Sequence, residues 1–164
     1  MRFGLLRGLR LLGRLLLLRY LALFGRGCLL RREGAEVLSL DIPAHLGTLA
    51  ASGFPRITSI WFLCEDGVFY MTSLTGRRHL ADLARDPRAV VWVDTEGPPP
   101  ERDNRQVGGR GLAQVYRDIE GQWTRRITLK YVPGPEGEQR AEFRASMDRW
   151  VIALKPERLI AIGA

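Results

Sequence analysis

Pro55-Arg56-Ile57-Thr58-Ser59-Ile60-Trp61-Phe62-Leu63-Cys64, then Glu65-Asp66-Gly67, then Val68-Phe69-Tyr70-Met71-Thr72 is the stretch whose reading decides the fold. Both runs are rich in β-branched and aromatic residues, which suit a pleated, half-buried surface. The Asp-Gly pair between them tolerates the positive φ of a tight primed turn. The stretch therefore reads as one long strand, a turn and a second strand: a β-hairpin.

Working outward, strand signals continue on both sides. Upstream, Ser39 to Leu46 suits a short leading helix or turn, with Ser39 or Asp41 as cap and Pro43 in its first turn. A short strand from Leu46 to Ala50 follows, closed by Ser52-Gly53. Downstream, Arg77 to Arg85 reads as a helix with Leu80 and Leu83 on one face, stopped by Asp86-Pro87. Ala89 to Asp94 and Arg105 to Tyr116 are strands, and Gly108, Gly109 and Gly111 in the second permit a bend or a close backbone approach. The Pro-rich loop from Thr95 to Asn104 cannot join a central ladder. Trp123–Tyr131 and Glu136–Met147 read as helices separated by Pro133-Gly134-Pro135. Trp150–Leu154 and Leu159–Ile162 finish as strands around Lys155-Pro156-Glu157. About six strands with short helices between them predict a mainly β fold, an antiparallel barrel with peripheral helices. Long strands do not alternate with long helices, which disfavours a doubly wound sheet.

The charge is unevenly placed. The whole chain of 164 residues has a formal net charge of +7. Residues 1–33 hold eight arginines against the single acid Glu33, so the rest of the chain is balanced. That removes the main support for a nucleic-acid-binding surface, which needs an excess of Lys and Arg along one face. Residues 1–35 are therefore read as a basic, Leu-rich extension outside the fold, and residues 36–164 as the folded domain. On a helix Arg7, Arg10 and Arg14 share one sector and leucines take most of the rest. A peripheral membrane or targeting segment and a stretch outside the mature protein are the open readings; a secretory signal fits poorly, because Arg14 and Arg19 interrupt the apolar region. No run there approaches the ~20 apolar residues of a membrane span. The folded part is expected to be cytoplasmic, with membrane contact only through this segment.

Cys28 and Cys64 form no CxxC pair, and His45 and His79 are the only histidines, so no metal ligand set is expected. GxGxxG, GK[ST], GxSxG and HExxH patterns are absent or lack their context. The informative cluster is Thr72-Ser73-Leu74-Thr75-Gly76-Arg77-Arg78-His79. It places hydroxyls, a glycine and cationic side chains at a strand-to-helix junction, where free N–H groups and the helix dipole favour an anion. A phosphate-bearing cofactor fits there, and so does a solvated basic helix start.

The order of several segments resembles the pyridoxamine-phosphate-oxidase-like superfamily, the FMN-binding split β-barrels. These are Phe54-Pro55-Arg56-Ile57-Thr58, Asp66 to Ser73, Gly76-Arg77-Arg78-His79, Asp86-Pro87-Arg88 and Arg105-Gln106-Val107-Gly108-Gly109-Arg110-Gly111-Leu112-Ala113. The resemblance implies a six-stranded split barrel and a homodimer with the flavin between its subunits. It implies that Arg56 and Arg78 approach the FMN phosphate, with Thr72, Ser73, Arg77 and His79 nearby. Ile57, Thr58 and Ser59 would line the isoalloxazine ring and Gln106 would hydrogen-bond the flavin. Where His79 stands the family usually has lysine, so a permanent cation is replaced by a group titrating near neutrality. True pyridoxamine-phosphate oxidases continue into a carboxy-terminal segment carrying substrate-binding Arg and His, whereas this chain reaches Ala164 just after its last strand, so the vitamin B6 reaction is not expected. The resemblance thus implies an oxidoreductase dependent on FMN or on deazaflavin F420, with a small-molecule redox substrate. A noncatalytic flavin- or haem-binding module on the same barrel is the alternative. No catalytic side chain is singled out, because bound flavin would carry the redox chemistry.

Overall fold

The computed structural model describes residues 32–95 and 104–163. The readings made on the amino-terminal arginine–leucine segment and on the prolines at 98–100 lie outside the described residues. The first element among the described residues is a helix, α1 (Arg32–Ser39), in which Ala35, Val37 and Leu38 are buried. Ser39 closes this helix, its hydroxyl donating to the Glu36 carbonyl at 2.7 Å, instead of opening one. The expected leading helix over 39–46 is absent, and β1 (Ala44–Leu49) starts immediately after Pro43. Proline disfavours helix in the residue before it, and pairing with two neighbouring strands settles the rest.

The hairpin forms as its turn chemistry requires. Asp66 and Gly67 take φ of 51° and 75°, and β3 (Phe62–Glu65) pairs with β4 (Val68–Leu74) from Glu65↔Val68 outward. The long strand expected before it is two strands: β2 (Pro55–Ile60) pairs with β1, and β3 pairs with β4. Trp61 is the link between them. Ile60 and Phe62 are both buried, so the alternation of burial runs straight through a change of partner.

After α2 (Arg78–Arg85), stopped at Asp86-Pro87 as expected, come β5 (Arg88–Asp94) and β6 (Gln106–Arg117). A 3-10 turn at Ile119–Gly121 leads into α3 (Gln122–Tyr131) and α4 (Pro135–Ala145). The two final strands expected around Pro156 are one long strand, β7 (Arg149–Ile162), with a bulge opposite Arg110/Gly111. Glycines make that continuity possible. A Cβ on Gly109 would meet the Arg158 carbonyl oxygen and Pro156, and one on Gly111 the Lys155 carbonyl. With no side chain on β6 at these points, β7 lies close enough to pair along its length.

Among the described residues the sheet has seven strands in the order β2-β1-β5-β6-β7-β4-β3, one more than expected, every neighbouring pair antiparallel. Its two outer strands are consecutive in sequence and joined through Trp61, so the sheet curls into a split barrel. Phe62, Phe69, Leu46, Met71, Val91, Val93, Val107, Ile152 and Leu154 fill its interior at 1% exposure or less. Burial of each of these side chains is worth about 1.5–3 kcal/mol before entropy is set against it. Tyr131 ties α3 to the barrel seam: its hydroxyl donates to the Ile42 carbonyl at 2.9 Å and accepts from the Phe62 N–H at 3.1 Å. Burial pushes that phenol up to about 12. No helix among the described residues is long and apolar enough to cross a membrane.

Candidate functional site: an arginine-lined cleft

At one end of the barrel a cleft of about 710 Å³ opens between β2, the end of β4, the start of α2, the end of α4 and the start of β7. Arg56, Thr58, Ser59, Thr72, Ser73, Arg77, Arg78 and His79 all line it, so eight of the ten side chains singled out in the sequence meet there. Ile57 and Gln106 do not. Both project from the opposite face of the sheet: Ile57 is 65% exposed, and Gln106 pairs with Asp94 and Ile162 and donates to Asn104 Oδ1 at 3.4 Å.

The junction between β4 and α2 is shaped by Gly76, whose φ of +84° belongs to the left-handed region that glycine enters without penalty. It lets the chain turn from Leu74 straight into the helix. No side chain caps α2 and its first turn carries no acid, so its leading N–H groups are available to an anion. Thr75 fastens the same junction to the start of β7, its hydroxyl donating to Asp148 Oδ2 at 2.6 Å and accepting from Trp150 Nε1 at 2.9 Å. That fastening sets Arg149 opposite Leu74 in the β4–β7 ladder and so into the cleft wall.

Asp82, buried behind the cleft, accepts from Arg56 Nε at 2.7 Å and from Thr48 Oγ1 at 3.1 Å. Burial alone raises its pKa, but the bonds from Arg56 and Thr48 outweigh it and hold the carboxyl below its ordinary value. Arg56 is thus oriented and its charge matched. His79 is buried, with Nε2 at 2.7 Å from Ser73 Oγ. Burial, and then the charge of Arg77, push its pKa below 6.5, with Asp82 opposing. The surroundings thus favour the neutral imidazole, which braces Ser73.

Two lining arginines were not singled out in the sequence, Arg144 on α4 and Arg149 on β7. Arg149 is 8% exposed; its Nη2 donates to the Thr72 carbonyl at 3.2 Å and to Thr72 Oγ1 at 3.4 Å, while its Nε has no partner. Burial, followed by the neighbouring charge of Arg144, lowers its pKa to about 10, and it remains a cation at neutral pH. Arg144 lies over the Trp61 ring at 4.8 Å, and its Nε is likewise buried and unpartnered. Among the described residues the cleft is lined by five arginines and no carboxylate. No group of three or more His, Cys, Asp or Glu that could hold a metal ion occurs among the described residues. The arrangement binds anions: fork-shaped donors, hydroxyls and helix N–H groups converge on one opening.

A family model described as pyridoxamine 5′-phosphate oxidase matches residues 30–162. The chain belongs to the pyridoxamine 5′-phosphate oxidase family. Solved structures share its fold. A conserved hypothetical protein of Mycobacterium tuberculosis aligns with a TM-score of 0.65 at 17% identity, over 79% of this chain and 81% of its own. An F420 reductase aligns at 0.60 and 22% identity, over 76% and 94%. The heme storage protein HutZ of Vibrio cholerae aligns at 0.64 and 14% identity, over 80% and 93%. At such identities the likeness establishes a shared fold. No curated protein matches the sequence.

Proposed function

We propose that the cleft holds the phosphate end of a flavin-type cofactor, FMN or deazaflavin F420, and that the protein is an oxidoreductase working through it. The observation that carries this reading is the carboxylate-free, five-arginine lining at an uncapped helix start. Among the five, Arg149 is buried without an ion pair, which is costly, and an anionic ligand removes that cost. Bound there, the cofactor supplies the electron or hydride chemistry. The chain's own residues bind and orient it: Arg78 and Arg77 face the phosphate, Thr72 and Ser73 add hydroxyls, and Thr58 and Ser59 line the approach from β2.

The active form is a homodimer. Ile57, Val90, Ile160 and Ile162 lie exposed on the outer sheet face, where a second, smaller cavity of about 380 Å³ opens beside Val90, Trp92 and Ile160. A monomer gains nothing from an apolar face of this kind. Ile57 and Gln106 share that face, so they would meet the flavin of the second subunit. A noncatalytic haem-binding module is less well supported. The only imidazole in the cleft, His79, already has its Nε2 at hydrogen-bond distance from Ser73, and His45 lies elsewhere, 3.3 Å from Asp94.

The test is titration of the full chain with FMN, F420 and haem, followed by absorbance and fluorescence, with Arg78→Ala as control. FMN or F420 should bind, and Arg78→Ala should weaken that binding by about 10–100-fold, from about 1.5–3 kcal/mol for a charged hydrogen bond. Failure of both cofactors to bind, or unchanged affinity in Arg78→Ala, defeats the reading.

A further inference from the structure

The cleft carries more positive charge than one phosphate can neutralise. Arg56 is matched by Asp82. A phosphate monoester brings a charge of about −1.5 to −2, which Arg77, Arg78 and the α2 N–H groups already answer. Arg144 and Arg149 stand on the other wall without an ion-pair partner, Asp118 acting on Arg149 only through space. The acids around them hold other partners. Asp118 accepts from the Trp123 and Thr124 N–H groups and the Thr124 hydroxyl, Asp148 binds Thr75 and Arg117, and Glu142 binds Arg125. Yet Arg149 is more than nine-tenths buried, and the Nε atoms of both arginines lack partners. Arg144 is also held in place, since the Trp61 ring it covers is stacked on Tyr131 at 4.5 Å from below. A guanidinium fixed on an aromatic plate, beside a buried one with an unused donor, is a pre-organised receptor.

We infer that Arg144 and Arg149 form a second anion subsite, separate from the β4–α2 junction, so that the cleft takes two anionic groups at once. This deepens the proposed function and rests on it for the assignment of the first group to a cofactor phosphate. The second group is a phosphoryl or carboxylate group, carried either on the same cofactor or on the second substrate.

The experiment measures binding of inorganic phosphate and inorganic pyrophosphate to the full chain by calorimetry. Pyrophosphate should bind at least about tenfold more tightly than phosphate, the value of one added charge-assisted contact. Arg144→Gln should shrink that ratio to about threefold or less. Arg78→Ala should weaken both ligands. Arg149→Gln bears on the same wall, but its buried position can cost the fold, so the decision rests on Arg144→Gln. Equal affinities in the wild type, or an unchanged ratio in Arg144→Gln, overturn the inference. Repeating the titration on FMN-loaded protein identifies the source. Phosphate binding that persists and depends on Arg144 places the second group on the second substrate. Tighter binding of F420 than FMN that Arg144→Gln abolishes places it on the cofactor. If neither cofactor binds while the pyrophosphate preference and its loss in Arg144→Gln hold, the cofactor reading falls and the subsite stands.

Discussion

Replacing Asp82 with asparagine removes one charge and almost no volume from behind the cleft. The carboxylate has two partners, Arg56 at 2.7 Å and Thr48 at 3.1 Å, and its side chain is 8% exposed. Both partners donate to the same oxygen, so the substituted amide can still accept from each, but the bond to Arg56 loses the carboxylate charge, worth about 1.5–3 kcal/mol. Arg56 is 30% exposed, so water recovers part of its solvation and the full penalty of an orphaned buried charge does not apply. A loss of about 2 kcal/mol follows, a fall in Tm of roughly 8 °C for a domain of this size. Acid adds a sharper test. The Asp82 carboxyl has its pKa lowered in the folded state, so its stabilisation is present above the unfolded value and disappears as pH falls through the folded one. The gap between wild type and Asp82→Asn, followed by circular dichroism on heating, should be widest near pH 7 and should close as pH falls below the unfolded carboxyl value. A variant melting within about 1 °C of wild type, or a gap that holds at the acid limit, refutes the account of this pair.

His79 has the opposite sign. Its folded pKa lies below 6.5, so the unfolded chain takes up a proton first and stability should drop as pH falls through 6.5. In urea melts His79→Gln should remove that slope, and parallel slopes would count against a buried neutral imidazole. Tyr131→Phe deletes both the donor to Ile42 and the acceptor for the Phe62 N–H, for an expected loss of about 2 kcal/mol by urea denaturation. A loss under about 0.5 kcal/mol would show that the seam does not depend on it. Gly109→Ala should cost about 3 kcal/mol or prevent folding, since its Cβ would strike the β7 backbone. Gly53→Ala, with φ of +85° but open space around it, should cost only about 1 kcal/mol, and equal costs would contradict the steric argument.

The elements that were legible in the sequence are those whose signal is local. Asp66-Gly67 marks its turn, Asp86-Pro87 stops α2, and Pro133-Gly134-Pro135 parts α3 from α4, because each acts through the backbone of its own few residues. The split at Trp61 was not legible, since Ile60 and Phe62 keep the same face buried while the strand changes neighbours. Pro156 misled in the other direction. It looks like a strand breaker, yet it sits opposite Gly111, where a bulge absorbs it. In the cleft, the β4–α2 cluster could be read because its residues are contiguous. Arg149 could not, because only the β4–β7 register brings it to that cluster, nor could Arg144, which the end of α4 delivers. The available signal was faint: an arginine opening the apolar run Trp150-Val151-Ile152-Ala153-Leu154, where a buried charge needs a reason.

The strand order bears on how the chain is made. β7 is the last strand in sequence and the only bridge between β6 and β4. A ribosome-bound chain that has exposed everything up to Met147 holds two unjoined pieces of sheet, one of four strands and one hairpin, each with an open edge where β7 belongs. Barrel and cleft are therefore completed together, when the final strand threads between them and delivers Arg149. A truncated product would be a partly assembled chain with bare strand edges, prone to association.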